Sequence, residues 1–141
     1  MKTTIIAEAG VNHNGKLKRA LELVKYASKS GANFVKFQVF SAENLVTKRA
    51  KKANYQKINT KKSETQHDML KALELKKQDF KKIISYCKKY KIKFLASAFD
   101  IKSIKLLLEL NQKTFKVPSG EITNFPYLEF LGKQKKKIIL S

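Results

Sequence analysis

Short apolar runs alternate with amphipathic helical stretches along this whole chain, and few architectures accept that order. Strand-like runs fall at Thr4 to Ala9, Asn33 to Phe40, Lys93 to Ala98, Thr114 to Pro118 and Lys137 to Ser141. Between them, apolar residues recur at helical spacing. Leu17, Ala20, Leu21, Val24 and Ala27 share one face, and Phe80, Ile83, Ile84, Cys87 and Tyr90 share another. Ile101 to Leu110 and Phe125 to Leu131 read as shorter helices. Gly31 ends the first helix as a C-cap glycine, and Ser63 to Gln66 can start a helix through Met69, Leu70 and Leu73. Strand-helix repetition of this kind predicts right-handed βαβ units and a parallel sheet. The polar stretch from Ser41 to about Ser63 is long for a connection, which marks it as functional or mobile.

The chain has 141 residues, enough for one modest domain with a core. Its formal net charge of +20 raises the question of a polyanionic partner. The cations are lysines except for Arg19 and Arg49, and forked reading of bases or phosphates uses arginine. A solvated lysine-rich surface is therefore the preferred reading over a nucleic-acid-binding module. Cys87 is the one cysteine, so an intrachain disulfide is excluded, and its helical position predicts a core thiol. The apolar run near the N-terminus is short and broken by Glu8, unlike a signal peptide or membrane span. These features predict a cytoplasmic protein without a membrane partner.

Side chains alternate between the two faces of a strand, and each strand here offers a polar residue near its C-terminal end. They are Glu8, then Lys36 and Gln38, then Ser97, Lys116 and Ser141. Ser119, Gly120 and Glu121 follow the fourth strand directly. A lysine inside a covered strand needs a counter-charge, and an anionic ligand is the economical one. Two lysines with serines suit a phosphate or carboxylate, and the glutamates could handle hydroxyls or protons. Both β/α barrels and open doubly wound sheets bind ligands at this edge, so both stay open here. His13, in an Asn-rich loop, is expected to cap or orient that loop. His67 is expected at the surface, and the two histidines form no metal motif at helical spacing.

Several of these segments, in order, resemble the sialic acid synthase family, which includes the N-acetylneuraminate and legionaminic acid synthases. They are Ile5 to Gly15, Val35 to Gln38, Phe115 to Asn124 and Ile138 to Ser141, supported by Ala42 to Leu45, Asn54 to Gln56 and Glu64 to Gln66. The resemblance implies a TIM (β/α)8 barrel that condenses phosphoenolpyruvate with an N-acyl hexosamine, typically N-acetylmannosamine. It implies that Lys36 and Lys116 hold phosphoenolpyruvate and that Ser97, Ser119 and Ser141 donate to its phosphate or carboxylate. Glu8 would contact the sugar or assist proton transfer, and Glu121 would act as acid, base or orienting group. Gln38 and Phe99 would line the pocket, and Tyr55 and Gln56 would help close over the sugar. A divalent manganese or magnesium ion and a homodimeric partner are also implied.

A full barrel needs about 250 residues. This chain matches roughly the first four βα units plus strand five, so residues 1–141 are expected to be the N-terminal half of a synthase barrel. The family's metal-binding histidines and antifreeze-like domain would lie beyond it. Such a half barrel is expected to leave open edges and an apolar inward face, to self-associate and to lack synthase activity. Two other readings compete: a basic polyanion-binding module, and a complete small doubly wound domain binding a phosphorylated metabolite.

Overall fold

A computed structural model describes residues 3–51 and 65–141. Five parallel strands form one sheet in the order β1-β2-β3-β4-β5. They are β1 (Ile6–Gly10), β2 (Phe34–Val39), β3 (Lys93–Ala98), β4 (Thr114–Val117) and β5 (Lys137–Leu140). The helices are α1 (Leu17–Lys29), α2 (Ala42–Leu45), α3 (Gln66–Leu73), α4 (Lys77–Lys89), α5 (Ile101–Glu109) and α6 (Phe125–Gly132). A 3-10 turn spans Ser119–Glu121. The strand order never reverses, so the sheet has no switch point of the kind where doubly wound domains bind their ligands. That removes the small doubly wound domain as a reading.

One face of the sheet carries the core. Val35, Phe37 and Val39 of β2, Ala96 and Ala98 of β3, and Phe115 and Val117 of β4 are buried there. They join Ala20, Val24 and Ala27 of α1, Phe80, Ile83 and Cys87 of α4, and Ile104 and Leu107 of α5 in one cluster. Each helix contributes the residues its 3.6-residue period places on one stripe. Cys87 is a packed apolar group, and burial pushes its thiol up to about 12.

The local signals act as their chemistry requires. Gly31 follows α1 with φ +76° and its N–H donates to Ser28 O. Thr65 and Asp68 close a reciprocal capping box at the start of α3. Asp100 caps α5 by accepting from Ser103 N at 2.8 Å, and its other oxygen accepts from Ser41 N at 3.2 Å. One side chain therefore ties Ser41, in the loop after β2, to the helix after β3. Gln112, buried, pairs its amide with both Ala96 N (3.0 Å) and Ala96 O (2.9 Å). β3 and β4 share a single register pair, Ser97 with Lys116, and Gln112 supplies the missing ladder partner for Ala96.

Two expectations need correction. The long polar stretch after β2 opens with the short helix α2, which is too brief to show helical periodicity in the sequence. The sheet face opposite the core is mixed rather than an apolar patch. Register places Glu8, Lys36, Gln38, Lys93, Ser97, Thr114, Lys116 and Lys137 on it together with Ile6, Phe34, Leu95 and Ile139, of which Leu95 is buried. Exposed apolar groups sit at the sheet's two flanks and, as Ile122 and Phe125, at the start of the helix after β4. Ile138 and Leu140 are 41% and 60% exposed on the helix-facing side of β5, and Ile5 and Tyr26 are exposed beside β1.

Candidate functional site

Aligned residues of a parallel ladder project to the same side of the sheet. Glu8 aligns with Lys36, Gln38 with Ser97, and Ser97 with Lys116. All five therefore rise from one face at the C-terminal half of the strands. β2 and β4 lie two strand spacings apart, about 10 Å, which two lysine side chains can reach across.

β1 reaches this arrangement through a bulge. Register shifts between Glu8 and Gly10, and Gly10 takes φ +53°. A Cβ there would sit 3.3 Å from Glu8 Oε1, so only glycine leaves the carboxylate its place over the bulge. Glu8 forms an ion pair with Lys36, whose side chain is mostly buried while that of Glu8 is half exposed. Lys116 Nζ donates to Val117 O at 2.9 Å. Burial, then the Lys36 ammonium, pull the Lys116 amine below the ordinary lysine value, and Glu8 offsets this in part. Two cations thus share one carboxylate on a part-buried face, an imbalance of one positive charge that an anion would relieve.

Ser97 completes the group. It is buried, and its Oγ has no hydrogen-bond partner among the described residues. A buried hydroxyl without a partner is uncommon and points to a ligand or water. Ser119 and Ser141 are exposed at the same edge, in the turn after β4 and directly after β5. Glu121 accepts from Asn124 Nδ2 at 2.7 Å, and Asn124 caps α6. The charges acting on Lys116 are Lys36 and Glu8, whereas Glu121 acts on Tyr127. Tyr55 and Gln56 lie outside the described residues.

Beside the polar group lies a pocket of about 340 Å³. Gln38 and Phe99 line it, and Phe40 packs edge-on to Phe99 at 6.5 Å. Sequence reasoning missed its far wall: Val11, Leu45 of α2, and Met69, Leu70 and Leu73 of α3. The sequence marks α3 as a helix through Met69, Leu70 and Leu73, and none of its residues is fully buried. Its apolar side chains face a cavity instead.

His13 holds the loop between β1 and α1, as expected. It is 1% exposed, its Nδ1 accepts from Gly15 N at 3.1 Å, and burial lowers its pKa, keeping the ring neutral. His67 is not at the surface. Its side chain is 12% exposed, with Nε2 3.3 Å from Glu43 Oε2, because α3 packs its first turn against α2. His67 in turn holds the Glu43 carboxyl below its usual range. No group of three or more His, Cys, Asp or Glu that could hold a metal ion occurs among the described residues. The divalent ion implied by resemblance therefore has no donor set there.

The NeuB family model matches residues 23–141. Over 140 residues the chain is 54% identical to the N,N'-diacetyllegionaminic acid synthase of Campylobacter jejuni, covering 99% of this chain and 42% of that protein. It is 50% identical to the synthase of the same description from Legionella pneumophila, covering all of this chain and 40% of that one. The crystal structure of N-acetylneuraminic acid synthetase from Leptospira borgpetersenii, in complex with citrate, superposes with a TM-score of 0.79 at 28% identity. That match covers 98% of this chain and 44% of that one. The chain thus spans about two fifths of the length of the curated relatives it matches. Sequence match and superposition agree, and the chain belongs to the NeuB family.

Proposed function

We propose that this chain is the phosphoenolpyruvate-binding part of a nonulosonic acid synthase, folded as the first half of a TIM barrel. The single-direction strand order and helices on one face support the barrel reading. The observation that carries the function is the placement of Lys36 and Lys116 on one face of the sheet, with Lys116 destabilised as a cation by burial and then by its neighbour. A small anion between them offsets the excess positive charge, and the unpartnered Ser97 hydroxyl is placed to donate to it. The solved Leptospira relative carries citrate, itself a small polyanion.

In the complete synthase, the enol carbon of phosphoenolpyruvate attacks the aldehyde carbon of an N-acyl hexosamine, typically N-acetylmannosamine. The aldehyde oxygen takes a proton. Water adds to the carbon bearing the phosphate, and the C–O bond to phosphate breaks to leave a ketone. Lys36 and Lys116 hold the phosphate and carboxylate, and Ser97, Ser119 and Ser141 donate hydrogen bonds. Glu8, half exposed beside Lys36, is placed to accept from a sugar hydroxyl or relay a proton. Glu121 orients groups at the mouth. The described residues do not fit a manganese or magnesium site, so no step here runs through a metal.

The remaining barrel, the second subunit of a homodimer and the metal ligands belong to the longer protein. No helix among the described residues is long and apolar enough to cross a membrane. Isothermal calorimetry of the chain with phosphoenolpyruvate tests the reading. Saturable binding lost in Lys36→Met and in Lys116→Met is expected. Binding that survives both substitutions contradicts it.

A further inference from the structure

We propose that the edge of the sheet where the strands begin, opposite the candidate site, is a docking face for an anionic lipid surface. The strands are parallel, so the turns that lead from a helix into the next strand all lie at that edge. They span residues 30–33, 90–92, 110–113 and 133–136. These turns and the strand starts after them carry Lys91, Lys93, Lys113, Lys135, Lys136 and Lys137, and no aspartate or glutamate. The carboxylates nearest in the helices are already paired, Glu109 with Lys77 at 2.5 Å and Glu129 with Lys133 at 2.9 Å. Glu8, Asp100 and Glu121 stand at the opposite edge, near or after strand ends. Charge is therefore separated along the strands.

The backbone adds an independent sign. Gly31, Lys91, Asn111 and Lys135 hold equivalent seats: each takes a positive φ, +76°, +53°, +63° and +50°, and donates its N–H to the carbonyl three residues back. Glycine and asparagine are the residues this conformation favours. Lysine is strained there, so helix capping does not account for Lys91 or Lys135. A lysine inside the last helical turn would complement the helix dipole without that strain.

The kind of charge selects the partner. The two arginines, Arg19 and Arg49, lie outside these turns. Lysine is a mobile point charge that needs no fixed partner geometry, which suits a fluid array of headgroups better than the forked contacts nucleic acids receive. Exposed apolar groups meet the same edge. Ile5 O, just before β1, accepts from Asn33 N at 2.9 Å in the α1–β2 turn, and Tyr26 is in the last turn of α1. Tyrosine near lysine is suited to a bilayer's interface, and such contact needs no spanning segment. Docked this way, the candidate site faces away from the lipid. The proposal does not depend on the synthase reading.

Co-sedimentation of the 141-residue chain with vesicles tests this. Binding is expected to vesicles of equal phosphatidylglycerol and phosphatidylcholine, to weaken with salt, and to be absent with phosphatidylcholine alone. Each lysine near an anionic surface changes partition by about fivefold, so removing four predicts a loss on the order of a hundredfold. That loss is expected when Lys91→Gly, Lys135→Gly, Lys113→Gln and Lys136→Gln are combined, with a melting temperature no lower than the parent's, because glycine relieves both strained turns. Lys18→Gln, Lys82→Gln, Lys102→Gln and Lys105→Gln together give the same net charge and should bind within about threefold of the parent. The chain has no tryptophan, so Tyr26→Trp and Phe125→Trp report from opposite edges. Anionic vesicles should blue-shift the first emission and leave the second in place. Equal loss in the two charge variants, binding that the first variant keeps, no binding by the parent, or a shift at residue 125 in place of residue 26 overturns the proposal. So does tighter binding of single-stranded RNA that the first variant alone loses, which would make this a nucleic-acid surface.

Discussion

At the scale of single residues, the site is a charge arrangement kept at a cost to stability. A lysine whose folded pKa is depressed destabilises the fold while it is charged, that is, at pH below its unfolded value of 10.5. Lys116→Met should therefore not lower the melting temperature, even as it removes anion binding, and differential scanning fluorimetry beside calorimetry checks both. Cys87 and Tyr127 give the opposite dependence. Burial raises both to about 12, from 9.0 and 10.0. Each favours the folded state fully below its unfolded pKa, and that contribution is lost as pH rises through the folded value. Thermal melts should show stability falling between about pH 9 and 12, with a shallower fall in Cys87→Ala. The two lysines and Ser97 were legible in the sequence because strand alternation assigns their face. The Glu8–Lys36 pair was not, since the Gly10 bulge that sets it is a backbone feature and a strand-end glycine reads as a turn.

At the scale of elements, the alternation of apolar runs located every strand within two residues, because period-2 and period-3.6 patterns do not overlap in this chain. What escaped was how elements are joined sideways. Gln112 sits in a turn, yet its amide closes the β3 edge across 16 residues. Gln112→Leu leaves a buried donor and acceptor at Ala96 without partners. It should cost about 1–3 kcal/mol, read from urea unfolding, while Gln112→Glu should retain part of the loss because only the acceptor half survives. The stripe of α3 was equally visible as a pattern, but periodicity cannot tell a core from a cavity wall. Gly15→Ala tests that wall. Its methyl would meet the Ala72 carbonyl and its φ of +68° favours glycine, so α3 should be displaced and the Met69 environment changed.

At the scale of the molecule, a five-stranded sheet with its core on one face leaves a second face rich in charged and polar groups and two apolar flanks. The flanks, Ile138 and Leu140 on one side and Ile5 and Tyr26 on the other, are where the chain should associate. Leu140→Lys with Ile138→Thr is expected to shift the population toward monomer in sedimentation velocity. The net charge of +20 is mostly dispersed lysine, and the pair that matters for the site is Lys36 and Lys116, which project to the same side of the sheet.

The central claim is that Lys36 and Lys116 act together on one anion. The most direct measurement is an NMR pH titration of lysines labelled with ¹³C at Cε, with Lys116 assigned by its loss in Lys116→Met. Its pKa should lie below the ordinary lysine value in the free chain, rise in Lys36→Met, and rise again when phosphoenolpyruvate binds. An ordinary Lys116 pKa that neither Lys36→Met nor phosphoenolpyruvate moves would contradict the account.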